Sequence, residues 1–194
     1  MQENKHREKY IIGISSGHSL LDKGAFCHFT GKHEFYYTSK LSKKIQEILS
    51  YYGYTIYSPD SITDKEKYPD HLKHTVKLLN MHNPHLAIEL HFNFFEDKKV
   101  NGCELLYNEE GKNFAALLQK EICSFFNVKD RGIKTNENKY FISHTEIPAV
   151  ITEPIFLSNE NDIKIIEKET FDRDFSLVLL KCLDIYFLKT DILP

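Results

Sequence analysis

Apolar and polar residues alternate along this chain in blocks whose period switches between two and three to four. Residues 10–14 form a short apolar run ending in the small-residue turn Ser15-Ser16-Gly17-His18. That predicts a first strand with a histidine at its carboxyl end. From 32 to 52, Phe35, Thr38, Leu41, Ile45, Ile48, Leu49 and Tyr52 recur at helical spacing, and Gly53 follows as the stop. Residues 54–57 predict a second strand, broken by Ser58-Pro59-Asp60. A helix over about 64–81 turns Leu72, Val76 and Leu79 inward. Residues 85–93 and 102–107 predict the third and fourth strands. A helix over 111–126 carries Phe114, Leu117, Leu118, Ile122 and Phe125 on one side. Residues 130–138 are polar and predict a loop, and 140–142 a short strand.

The stretch from Ile147 to Thr152 is almost wholly apolar or small, the make-up of a strand buried on both faces. Glu153 stands where that strand must end, because Pro154 cannot donate to a further ladder bond. Ser158 is placed to cap the next helix, with Asp162 in its first turn. Helices over about 159–167 and 171–189 close the chain. Strands alternating with helices predict an α/β fold, a mainly parallel sheet of about six strands with helices on both faces. No repeat or linker divides residues 1–194, so a single domain is expected, with 1–9 as a polar tail.

Composition narrows the partners. A 41% hydrophobic and 27% charged chain of 194 residues can bury a core. Its net charge of −3 gives no general attraction to nucleic acid or to an anionic membrane surface. Cys27, Cys103, Cys123 and Cys182 form no C-x-x-C pair, which argues against sulfur-ligated zinc and predicts four unpaired thiols. Residues 1–9 lack the apolar core of a secretory signal. The apolar tract 175–188 is interrupted by Lys181 and Asp184 and is too short to span a bilayer.

Of the ten histidines, His6, His71, His74, His82 and His85 lie in polar or helical contexts where a solvated side chain is the default. His18 and His91 differ, each sitting at the carboxyl end of an expected strand, where open α/β sheets gather their ligands. In Glu89-Leu90-His91-Phe92-Asn93 the period of two puts Glu89, His91 and Asn93 on one face. Three polar groups there are costly unless they are paired or bind something. A third ligand is sought in His33-Glu34, where adjacent helical residues point about 100° apart. Glu34 is in phase with Thr38, Leu41 and Ile45, and His33 with Tyr37, Lys40 and Lys44, so Glu34 is expected inward. Two histidines and a carboxylate suit hydrolytic zinc with an open fourth position. Glu153 lies at the right edge of the sheet to act as general base.

These motifs carry a resemblance. From about residue 11 to 187 the chain resembles the zinc-dependent N-acetylmuramoyl-L-alanine amidases of the amidase-3 type. That family's Gly-His turn looks like Ser16-Gly17-His18, its helix-opening Glu like Glu34, and its His-x-Asn strand like His91-Phe92-Asn93. Its Asp-Arg-Gly loop stands as Asp130-Arg131-Gly132-Ile133-Lys134. Its Pro-Ala-Val strand with the final Glu stands as 148–153, followed by Phe156-Leu157-Ser158-Asn159. The resemblance implies one zinc ion on His18, Glu34 and His91, and Glu153 as the catalytic carboxylate. Three departures are Ser15-Ser16 for Asp-Pro, Glu89 for a small residue, and Pro154-Ile155 for a Gly-containing step.

The same resemblance implies a peptidoglycan hydrolase cutting the amide between N-acetylmuramic acid and L-alanine, with Asn93, Arg131 and Lys134 as substrate contacts. A cell-wall site of action is implied, after export or release, or as a phage lysis enzyme. The alternatives are a related zinc amidohydrolase or carboxypeptidase on small N-acyl amino acids or γ-linked peptides, and an inactive wall-binding module.

Overall fold

The computed structural model describes residues 6–63, 65 and 67–192, with the side chains at 61, 63 and 188–192 left aside. Most of the expected polar tail, residues 1–5, lies outside the described residues. In chain order the elements are β1 (Ile11–Ser16), β2 (Phe26–Cys27), β3 (Lys32–His33), α1 (Glu34–Tyr51), β4 (Thr55–Tyr57), α2 (Asp60–Thr63), α3 (Asp70–His82) and β5 (Leu86–Leu90). The second half gives β6 (Cys103–Tyr107), a 3-10 turn (Glu109–Gly111), α4 (Lys112–Phe126), β7 (Asp130–Lys134), α5 (Tyr140–His144), β8 (Ala149–Glu153), α6 (Glu160–Ile166) and α7 (Phe171–Ile192).

Six strands form one sheet in the order β4-β1-β5-β8-β6-β7, while β2 and β3 make a separate two-stranded ribbon. All pairs in the sheet are parallel except β6 with β8. The expected α/β class and mainly parallel sheet are therefore observed. The strands β1, β5 and β8 are buried and apolar except toward their carboxyl ends, because each has a neighbour on both sides and helices above and below.

One face of the sheet presents Ile12, Ile14, Ile88, Leu90, Val150 and Leu105 to α1, α4 and α7. Leu41, Ile45 and Leu49 of α1 are fully buried there, each stabilising the fold by about 1.5–3 kcal/mol. The opposite face presents Ala87, Ala149, Ile151 and Leu106 to Val76 and Leu79 of α3 and to Phe141 and Ile142 of α5. Side chains alternate along a strand, so Glu89 follows Ala87 on this second face and Glu153 follows Ile151. Apolar cover gives way to ionisable groups there, at the carboxyl ends of the strands.

Several local expectations are corrected. Residues 130–134 form a strand, not a loop: Asp-Arg-Gly-Ile-Lys reads as polar because β7 is an edge strand, paired only with β6. Residues 140–142 belong to a helical turn, where Phe141 and Ile142 cover the second face. The long helix expected over 64–81 begins only at Asp70, after the short α2. Phe125 points outward at 57% exposure, and the inner side of α4 is completed by Gln119 instead. Asn159, not Ser158, caps α6, its side chain accepting from the Asn161 and Asp162 amides. Asp162 turns inward to accept from the Gly102 and Phe156 amides.

Candidate active site

β1 and β5 run in register with Ser16 opposite Leu90, so the segments leaving them emerge side by side. The Gly17 amide donates to the Leu90 carbonyl at 2.7 Å. Thr38 of α1 donates its hydroxyl to the Gly17 carbonyl at 2.9 Å. The turn is thereby fixed to both the sheet and the helix. His18 then adopts φ 73°, the left-handed region, which costs a non-glycine residue about 1–3 kcal/mol. Such strain persists where surroundings over-determine it, and here the ring is held by carboxylates on both nitrogens. Nε2 lies 3.0 Å from Glu34 Oε2, and Nδ1 lies 3.4 Å from Asp22 Oδ2.

Glu34, the first residue of α1, is 4% exposed. Its Oε1 accepts from the Phe92 amide at 3.0 Å and lies 2.9 Å from His91 Nδ1. Its Oε2 accepts from the Ala25 amide at 3.3 Å. A Cβ at Gly24 would run into the His18 ring and Glu34 Oε2, and one at Gly17 into the His91 ring. The two glycines leave the room in which the three side chains meet. His18, Glu34 and His91 each offer a ligand atom, all within 4.8 Å of one another. Such a cluster of two imidazoles and one carboxylate can hold a metal ion, and it is the donor set of open zinc sites.

Glu34 points inward, as its helical phase requires, but His33 departs from its expected place. His33 lies before the helix, in β3, with a ring nitrogen 3.2 Å from the Gly24 carbonyl. Tyr37, assigned with it to the solvent face, is buried and bonded to Thr30 and Glu167.

Electrostatics in the cluster are set by burial against close pairing. Burial works to raise the Glu34 carboxyl, but bonds to His18 and His91 and their charges hold it well below the usual carboxylate range. Burial opposes the charge on His91, yet Glu34 and Glu89 together hold its pKa well above the ordinary value. Glu153 differs. Its Oε2 is buried without a hydrogen-bond partner among the described residues. Burial pushes this carboxyl up to about 8, against the pull of His91 and with the push of Glu34.

A groove of about 380 Å³ opens beside the cluster, lined by His18, Glu89, His91 and Ile151 on one side and by His71, Lys139 and Tyr140 on the other. His71, expected to be solvated, is only 6% exposed, and its Nδ1 has no partner among the described residues. The polar run before α3 gave no periodic signal that its first turn faces a groove. Lys139, just before α5, was missed because that segment reads as loop and strand.

Asn93, Arg131 and Lys134 converge on one carboxylate outside the groove lining. Asn93 Nδ2 donates to Glu104 Oε1 at 3.1 Å, while Arg131 Nε and Lys134 Nζ donate to Oε2 at 3.0 and 2.8 Å. Arg131 also lies over the Phe156 ring. Glu104 is the register partner of Glu153 across β6 and β8, so the cluster flanks the strand end that carries Glu153.

Three amidases are among the solved structures that share this fold. A catalytic domain from Bacillus (Paenibacillus) polymyxa var. colistinus, the N-acetylmuramoyl-L-alanine amidase CwlV, superposes with TM-score 0.82 at 24% identity, covering 91% of this chain and 97% of that one. The N-acetylmuramoyl-L-alanine amidase of Clostridium difficile 630 gives TM-score 0.81 at 24% identity over 94% and 98%. The CwlD amidase of Clostridioides difficile, solved with the GerS lipoprotein, gives 0.83 at 21% over 94% and 100%. In sequence, the chain is 29% identical over 168 residues to an uncharacterised 38.4 kDa protein of Clostridium perfringens, covering 83% of this chain and 47% of that protein. The chain thus spans less than half the length of that relative. The sequence model of the N-acetylmuramoyl-L-alanine amidases matches residues 12–181, which takes in every residue of the cluster and groove: the chain belongs to that family.

Proposed function

We propose that this domain is a zinc-dependent peptidoglycan hydrolase that cuts the amide between the N-acetylmuramic acid lactyl group and L-alanine. The observation that carries it is the meeting of His18, Glu34 and His91 beside Glu153, whose Oε2 has no hydrogen-bond partner among the described residues, next to one groove in a chain of this family. Those three side chains would hold a zinc ion, which would supply Lewis acidity toward the scissile carbonyl and the attacking water. Glu153 takes the proton from the attacking water and passes it to the leaving alanine nitrogen, the work of a positioned general acid–base. Its desolvated carboxyl suits a group that must gain and lose a proton during one turnover.

The groove gives the substrate its footing. Lys139 and the imidazole of His71 offer donors for stem-peptide carboxylates and carbonyls. They are favoured over Arg131 and Lys134, which pair with Glu104 outside the groove lining. No described helix is long and apolar enough to cross a membrane, and the polymer substrate implies action at the cell wall.

End-group analysis after digestion of purified peptidoglycan tests the reading. New N-terminal alanine amines without new reducing sugar ends are expected. New amines on diaminopimelate or D-alanine would show a peptidase instead, and hydrolysis confined to small N-acyl amino acids would show the related amidohydrolase.

A further inference from the structure

His91 is gripped from both ends. Its Nδ1 lies 2.9 Å from Glu34 Oε1, inside the three-residue cluster. Its Nε2 lies 3.3 Å from Glu89 Oε2, on the far side of the ring. Glu89 is 4% exposed, on β5 two residues before His91, so both side chains stand on the same face of the sheet. It lies outside the set of side chains whose ligand atoms converge. Its register partners are Ser15 on β1 and Ile151 on β8, neither of which donates to it, so the only described hydrogen bond of this buried carboxylate runs to His91.

A buried carboxylate is costly unless it is paired. An imidazole that gives one nitrogen to a metal must carry its proton on the other, and an acceptor there fixes the tautomer and the ring plane. The position of Glu89 meets that requirement. The turn below the ring is held by the Gly17–Leu90 backbone bond, and Gly17 itself has no side chain to displace the ring.

We propose that Glu89 is a positioning residue of the metal centre: it holds the proton of His91 on Nε2, presents Nδ1 to the ion, and adds a negative charge that tightens zinc retention. This role rests on the zinc reading of the cluster. It excludes Glu89 as a ligand and as the general base, roles that fall to the converging cluster and to Glu153.

The test is zinc affinity, by competition with a chromogenic chelator, for the parent protein and for Glu89→Gln and Glu89→Ser. Thermal melts of the zinc-free forms serve as a folding control. Loss of a carboxylate behind a ligating histidine typically costs about 10–100-fold in metal affinity. The Ser variant, too short to reach Nε2, is expected at the upper end of that range. The Gln variant, which keeps an acceptor and loses the charge, is expected at the lower end. In the zinc form of the parent, nitrogen-15 NMR of His91 should show a protonated Nε2. Zinc affinity within two-fold of the parent in both variants would overturn the inference. So would full zinc affinity with activity lost, since that pattern belongs to a base. If the Ser variant fails to fold, the Gln variant and the tautomer measurement decide. A parent that takes up no zinc would overturn the metal site and this inference together, whereas a parent whose zinc ignores both substitutions overturns only the inference.

Discussion

Glu153 and His91 sit level with each other on β8 and the segment after β5, where the His91 amide donates to the Thr152 carbonyl. One is proposed to move protons and the other to hold the ion, so their substitution should separate the two jobs. Glu153→Gln should keep fold and bound zinc while losing about 10²–10⁴-fold in turnover, the usual contribution of a general acid–base. His91→Ala should lose zinc and activity together, because two remaining ligands hold the ion poorly. Parallel zinc analysis and rate measurement on released amines check both. A Gln variant within a few-fold of the parent would make Glu153 a strand-end residue without a chemical role. At this scale the sequence was informative wherever a period applied. Alternation put Glu89 and His91 on one face, and helix phase turned Glu34 inward. His71 carried no such signal, because it opens a helix and no period before it fixes its direction.

Elements join the site to the rest of the fold through a few buried polar anchors. Asp162 of α6 is the clearest, since one oxygen accepts from both the Gly102 amide before β6 and the Phe156 amide after β8. Asp162→Ala would leave two buried amides unpaired, at about 1–3 kcal/mol each. Urea unfolding should show that loss, and Asp162→Asn, which keeps an acceptor, should lose less. Lys139, at the start of α5, belongs to the groove instead. Lys139→Ala should raise KM for peptidoglycan fragments about 2–5-fold with kcat little changed, the signature of a contact made equally in ground and transition states. A fall in kcat at unchanged KM would remove Lys139 from substrate binding. Element type was readable where burial was two-sided, as in β5 and β8. It failed at β7, a polar edge strand, and at α5, five residues whose adjacent Phe141 and Ile142 establish no period.

Across the whole molecule the chain closes on itself near its ends, where Arg7 Nε and Nη2 each donate to Asp184 of α7 at 2.8 Å and Tyr54 joins at 3.0 Å. The core forms without covalent staples, and all four cysteines are free. Titration of the denatured, unreduced protein should find four thiols, and fewer would mean a bond the fold does not need. Fold class was legible from strand–helix alternation alone. The antiparallel turn of β6 was not, because direction in a sheet depends on where the connection returns and not on the strand's own residues. The central claim is that His18, Glu34 and His91 form one zinc site beside Glu153. An anomalous difference map at the zinc edge, from crystals of the zinc-loaded protein, tests it most directly. One peak among His18 Nε2, Glu34 and His91 Nδ1 is the predicted result. A peak on His28, His33 or Cys27, or no peak within that cluster, would contradict it.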